Sequence, residues 1–194
     1  MPPLPTLPGP GAAIAWVFLD RDGTLNVKAP DGEYVERPED LQLLPGAAEG
    51  VRMLNRAGVW TGVVTNQRGV ALGRMSAEDL AAVNTRLTEL LAEDGAALDA
   101  IYSCIHASAE CDCRKPRPGM LVQARAEHPG LDFARAAIVG DSLSDIQAGS
   151  AVGLRTVLID DGAGGDPQAI ELADDVVGDM AAAASLLLGD SPRA

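Results

Sequence analysis

Apolar residues along the chain come in short runs that stop abruptly. The first covers 14–19 and closes on Asp20 and Asp22, with Gly23 ending it. Short runs rich in β-branched and aromatic side chains predict buried strands. Further strands are expected over 59–65, 98–103, 136–139 and 155–159. Between them, apolar residues recur at helical spacing. A helix is expected over 45–57, opened by Pro45-Gly46 and stopped by Gly58. A second starts at the capping-box signature Ser76-Ala77-Glu78-Asp79 and runs to about Glu93, with Leu80, Val83, Leu87, Leu90 and Leu91 on its apolar side. Others are expected over 119–128, over 144–150 with Ser144 as its cap, and over 180–188. The segment 25–44, with Pro30, Gly32 and Pro38, reads as a loop with a short hairpin, 104–118 as irregular, and 162–165 as a flexible turn.

Strands alternating with helices predict an α/β fold with three Rossmann-like layers: a central parallel sheet covered on both faces. Right-handed crossovers then bring all strand ends of one sense to a single edge. Asp20, Thr65 and Asp141 each close a different predicted strand, so residues far apart in sequence are expected to converge. No insertion is long enough for a large cap domain. The Pro/Gly-rich start, 1–11, lacks a basic leader and reads as a disordered tail. The remaining 12–190 reads as one domain.

Composition narrows the classes of function. With 47% hydrophobic but 3% aromatic residues, the core must be aliphatic. A formal net charge of −13 argues against nucleic acid and against anionic membrane surfaces. No apolar run approaches the roughly 20 residues of a membrane span. A cytoplasmic monomer is the default expectation. An anionic small molecule remains compatible wherever positive charge is concentrated, and Arg114, Lys115 and Arg117 form the densest basic cluster.

The acidic pair has two readings, a solvated strand end or a nucleophile and an acid/base on one backbone. An EF-hand loop does not fit, because Gly23 is fourth in the run and Thr24 takes a ligand position. Phosphoryl transfer needs a nucleophile, a divalent cation, donors for the phosphoryl oxygens and an acid for the leaving group. The chain offers Asp20 as nucleophile and Asp22 as acid/base. Asp20, the backbone carbonyl of Asp22 and Asp141 would hold Mg²⁺. The Thr65 hydroxyl and the Asn66 N–H would serve as phosphoryl donors, and Lys115 would neutralise the crowded carboxylates. Asn66, Arg68, Arg114 and Lys115 are the substrate-binding candidates. Asp145 reads equally as a further acid of the site or as a carboxylate favoured by a helix dipole.

The cysteines Cys104, Cys111 and Cys113, with His106 among them, supply the three thiolates and one imidazole of a closed structural Zn²⁺ site. The alternative is reduced surface thiols; a disulfide would leave an odd cysteine. Because Cys113 directly precedes Arg114 and Lys115, bound zinc would fix where those cations point.

DRDGT, the TNQ strand end, CRKP and GDSLSD resemble, in that order, the four motifs of the haloacid dehalogenase-like phosphatases. Within that superfamily the chain resembles the branch holding D-glycero-D-manno-heptose 1,7-bisphosphate phosphatases and histidinol phosphatases. The resemblance implies the roles given above for Asp20, Asp22, Thr65, Lys115 and Asp141, and a zinc-bound loop at 104–113. It implies a phosphorylated sugar as substrate, with removal of the 7-phosphate through an aspartyl phosphate. Histidinol phosphate, or a broader set of sugar phosphates, is the alternative. A zinc-stabilised binding module without catalysis is the alternative of another class. Ser142 departs from the branch, where Lys often follows the aspartate.

Overall fold

A computed structural model describes residues 13–30, 32–107, 111–162 and 165–189. The expected tail at 1–11 and the centre of the expected turn at 162–165 lie outside the described residues. The strands are β1 (Trp16–Leu19), β2 (Trp60–Asn66), β3 (Ala100–Cys104), β4 (Ala136–Gly140), β5 (Arg155–Ile159) and β6 (Asp175–Val177). The helices are α1 (Ala47–Arg56), α2 (Ala77–Glu93), α3 (Gly119–Glu127), α4 (Leu143–Ser150), α5 (Pro167–Leu172) and α6 (Met180–Leu188). The six strands form one parallel sheet in the order β3-β2-β1-β4-β5-β6.

The order reverses between β1 and its two neighbours, β2 and β4, where an open α/β sheet leaves a crevice for ligands. Strand alternation separates two cores. Val17 and Leu19 of β1 point to the layer of α1, α2 and α6, where Val51, Leu54, Leu87, Leu91 and Ala183 are buried. Phe18 points the other way, to Met120, Leu121 and Ala124 of α3 and Ala148 of α4. The three layers are those expected.

Four local expectations need correction. Helix α1 begins at Ala47, because Gly46 adopts a left-handed φ of 79° and Pro45-Gly46 forms the preceding turn. The cap of α4 is Ser142, not Ser144: Asp145 accepts from both the Ser142 N–H and hydroxyl. Helix α5, capped by Asp166, and the edge strand β6 were not expected; both are short and carry no clear period. In 25–44 the hairpin reduces to one antiparallel bridge, Asn26 to Leu43, and a 3₁₀ turn at Pro38–Asp40. The α2 capping box is as expected: Ser76 and Asp79 bond reciprocally.

Candidate active site

The carboxyl ends of β1, β2 and β4 bring Asp20, Thr65 and Asp141 to one pocket of about 320 Å³. Asp22, Asn66, Arg114 and Lys115 line it too, with Lys28–Pro30 and Gly32–Val35 on the wall above. Arg68 does not: beyond Asn66 the chain turns tightly, with Val70 N–H bonded to Gln67 and Leu72 N–H to Arg68.

At the floor, Lys115 is buried and its ammonium has three oxygen neighbours. They are Asp20 Oδ1 at 2.7 Å, Asp145 Oδ1 at 2.5 Å and the Val64 carbonyl at 2.7 Å. Two hydrogen bonds, to Asp20 and Val64, and the ion pair with Asp145 surround the buried ammonium and hold its position. Asp145 is fully buried and serves twice, capping α4 through Oδ2 and meeting Lys115 through Oδ1. Asp145 thus stands in the first turn of α4 and beside the pocket floor at once. The Asn66 side chain grips the Lys115 backbone at both ends: Oδ1 accepts from Lys115 N at 3.0 Å and Nδ2 donates to Lys115 O at 3.1 Å.

Oxygens of Asp20, Asp141 and Asp145 lie within 4.8 Å of one another. Burial pushes the Asp20 carboxyl up to about 7, with Asp145 and Asp141 adding repulsion and Lys115 opposing. Asp141 is also raised, by burial first, with Lys28 pulling it down. Asp141 Oδ1 is buried without a hydrogen-bond partner among the described residues. A hard divalent cation fits this donor set: clustered carboxylate oxygens, one of them unpaired. Gly23 makes the approach possible. Its φ is 90°, and a Cβ there would stand 2.2 Å from Asp141 Oδ2.

The Asp22 carboxylate is held by three side chains. Gln67 Nε2 donates to Oδ2 at 2.7 Å, Asn26 Nδ2 to Oδ1 at 3.0 Å, and Arg21 Nη2 to Oδ2 at 3.0 Å. Arg21 is fully buried and also bonds Asn84 of α2 at 3.1 Å. Gln67 donates a second bond to Thr65 Oγ1 at 2.8 Å, linking Asp22 to the expected phosphoryl donor. Sequence reasoning missed Arg21, Asn26, Gln67 and Lys28. Arg21 and Gln67 lie inside quoted motifs, which was the available signal.

Beside the pocket, Cys104, His106, Cys111 and Cys113 converge. Sulfur–sulfur separations are 3.1 to 3.6 Å, and His106 Nδ1 is 3.1 Å from Cys113 Sγ. A tetrahedral Zn–S₃N site has ligand separations of roughly 3.5–3.8 Å, so the cluster is compatible with a zinc-binding loop. Arg117 Nη1 donates to the Cys111 carbonyl at 2.5 Å, and Gly119 N–H to Asp112 O at 3.0 Å, tying the loop to α3.

Comparison with known proteins agrees with this geometry. A HAD-hydrolase-like family model matches residues 112–186. The D-glycero-beta-D-manno-heptose-1,7-bisphosphate 7-phosphatase of Pseudomonas aeruginosa is 38% identical over 175 residues, covering 89% of this chain and 97% of that protein. The chain belongs to the HAD-like hydrolases. Within that family, the D-glycero-alpha-D-manno-heptose-1,7-bisphosphate 7-phosphatase of Mycobacterium tuberculosis H37Rv is 41% identical over 132 residues, covering 68% of this chain and 69% of that protein. A crystal structure of D,D-heptose 1,7-bisphosphate phosphatase from B. bronchiseptica, complexed with magnesium and phosphate, superposes with a TM-score of 0.80. It is 30% identical and covers 92% of this chain and all of its own. Among the described residues, no helix is long and apolar enough to cross a membrane.

Proposed function

We propose that this HAD-like hydrolase removes the 7-phosphate of D-glycero-D-manno-heptose 1,7-bisphosphate through an aspartyl-phosphate intermediate. The observation that carries the reading is the buried Lys115 ammonium held between Asp20 and Asp145 beside Asp141. Relatives named for this reaction support the substrate.

Asp20 Oδ2 attacks phosphorus in line with the leaving sugar oxygen, while Lys115 neutralises and orients the same carboxylate through Oδ1. The Thr65 hydroxyl and Asn66 N–H donate to the phosphoryl oxygens. Asp22 gives a proton to the leaving alkoxide, then takes one from the water that cleaves the acyl phosphate. Asp20, Asp141 and the Asp22 carbonyl would hold Mg²⁺, which supplies charge stabilisation to the transferring phosphoryl group. Asp145 sets Lys115 rather than touching the substrate. Arg114 lines the pocket, its Nη1 is buried without a partner among the described residues, and it would bind a second anionic group. Zn²⁺ in the Cys₃His cluster would be structural, with no open ligand position.

The test measures Mg²⁺-dependent turnover of both heptose 1,7-bisphosphate anomers, histidinol phosphate and p-nitrophenyl phosphate. Expected are release of phosphate from position 7, preference for a heptose bisphosphate, and loss of at least about a thousandfold in kcat for Asp20→Asn. Retained turnover in Asp20→Asn overturns the mechanism, and preference for histidinol phosphate overturns the substrate.

A further inference from the structure

The cation that completes the pocket does not come from any of the motifs. Lys28 lies on the loop after β1, and its Nζ reaches Asp141 Oδ2 at 3.2 Å, across 113 residues of sequence. Its side chain is 57% exposed, whereas that of Asp141 is 19% exposed. Lys28 therefore meets a largely buried carboxylate from an exposed, solvated stem. It lines both the 320 Å³ pocket and an adjoining cavity of about 610 Å³, so the ammonium has room on either side of the carboxylate.

Two facts set this contact apart from those of Lys115. Asp141 belongs to the carboxylate cluster suited to a divalent cation, and a hard dication outcompetes an exposed ammonium for the same oxygens. Lys115, in contrast, is spent on Asp20, Asp145 and Val64 and cannot turn outward. Among the described pocket-lining residues, the cations left to face a substrate are Lys28 and Arg114.

Charge counting points the same way. Five carboxylates in and under the pocket (Asp20, Asp22, Glu33, Asp141, Asp145) face four cations (Arg21, Lys28, Arg114, Lys115), a formal excess of one negative charge. A dication reverses the sign and leaves the Lys28 charge available. We propose that Lys28 is an exchanging counter-ion. It holds Asp141 in the metal-free site and, when a divalent cation takes that carboxylate, moves to the anionic group the substrate carries away from the reacting phosphate. This rests on the bisphosphatase reading and names a further specificity residue for it.

The exchange makes opposite demands on two ligands, which a merely structural lysine would not. Lys28→Met removes a competitor for Asp141, so the Mg²⁺ dissociation constant of the substrate-free protein, read by titration calorimetry, is expected to fall about two- to fivefold. The same variant loses a contact to the distal anion. Its KM for heptose 1,7-bisphosphate is expected to rise about tenfold with kcat changed much less. The ratio of kcat/KM for the bisphosphate over that for p-nitrophenyl phosphate, which has no second anion, falls accordingly. Lys28→Arg is expected to restore the ratio. Weaker or unchanged Mg²⁺ binding in Lys28→Met overturns the exchange, and an unchanged substrate ratio overturns the second role. If the wild-type chain cleaves p-nitrophenyl phosphate but not the bisphosphate, the substrate reading fails instead, and the Mg²⁺ titration alone then decides the exchange.

Discussion

Asp22, the proposed acid/base, shows how far neighbours can set where a side chain points. A carboxylate two residues beyond the nucleophile on an extended chain faces the same way, but χ rotation alone would leave it free to sweep the pocket mouth. Arg21, Asn26 and Gln67 remove that freedom by occupying both oxygens. Gln67 matters most for geometry, because its amide also holds the Thr65 hydroxyl and so fixes the distance between the proposed proton donor and the proposed phosphoryl donor. Replacing it by Met keeps the volume and removes both hydrogen bonds. The expected result is a fall in kcat of about 10- to 100-fold for the heptose bisphosphate, whose alkoxide leaving group needs a proton. The fall for p-nitrophenyl phosphate should be much smaller, since nitrophenolate leaves unaided. Equal losses on the two substrates would mean that Gln67 serves Thr65 or the fold, and not the orientation of Asp22.

At the scale of elements, the loop between β3 and α3 joins the Cys/His cluster to the buried Lys115 of the proposed site. Cys113 sits two residues before Lys115, while Asn66 from β2 clamps the Lys115 backbone and Arg117 returns to the Cys111 carbonyl. Among its described residues the loop forms no strand pairing and is held by a few single bonds, so the proposed Zn²⁺ would add a substantial restraint. Stripping Zn²⁺ with a thiol-competing chelator in Mg²⁺-replete buffer should lower the thermal midpoint by about 5–10 °C. It should also cut activity more than about tenfold, with no recovery on adding further Mg²⁺. Metal analysis alongside the melt checks both; a stripped protein with unchanged midpoint and rate would refute the mechanical role.

The elements that were legible in the sequence are those with a repeated local signal. The Ser76 capping box and its leucines locate α2, and the apolar runs ending in Asp20, Asn66 and Gly140 locate the three strands that build the site. Helix α5 and strand β6 were not legible, because tertiary bonds hold them rather than their own periodicity. Asp174 Oδ2 accepts from the Thr156 N–H and hydroxyl, and Asp175 pairs with Arg155. Strand ends also foretold the convergence of Asp20, Thr65 and Asp141. They could not foretell the lateral contacts of Arg21 with Asn84, or of Lys28 with Asp141, which depend on how layers and loops stack.

Over the whole molecule, packing acidic strand ends into one crevice costs stability that a cation must offset. Asp20 is pushed up to about 7 by burial and by its carboxylate neighbours, and Asp141 is raised as well. A folded-state carboxyl raised above its unfolded value binds more protons than the open chain at intermediate pH. Its contribution to stability is therefore full below about pH 4 and is lost as pH rises through about 7. Asp79 and Glu127 shift the other way, but they lie outside the pocket, so Mg²⁺ bound there is not expected to move them. The difference between melts with and without Mg²⁺ thus isolates the crevice. Discounting the shift to about 1–2 kcal/mol for water and side-chain relaxation, the Mg²⁺-induced rise in midpoint should be about 3–6 °C larger at pH 8 than at pH 5. Mg²⁺ binding near neutral pH should release protons, seen as a calorimetric heat that varies with buffer ionisation enthalpy. Asp20→Asn removes the dominant titrating group and should shrink the pH dependence of the Mg²⁺ effect. An Mg²⁺ effect of equal size at both pH values would mean that these carboxylates are already ionised without the metal, and that Lys115 and Lys28 alone balance the crevice.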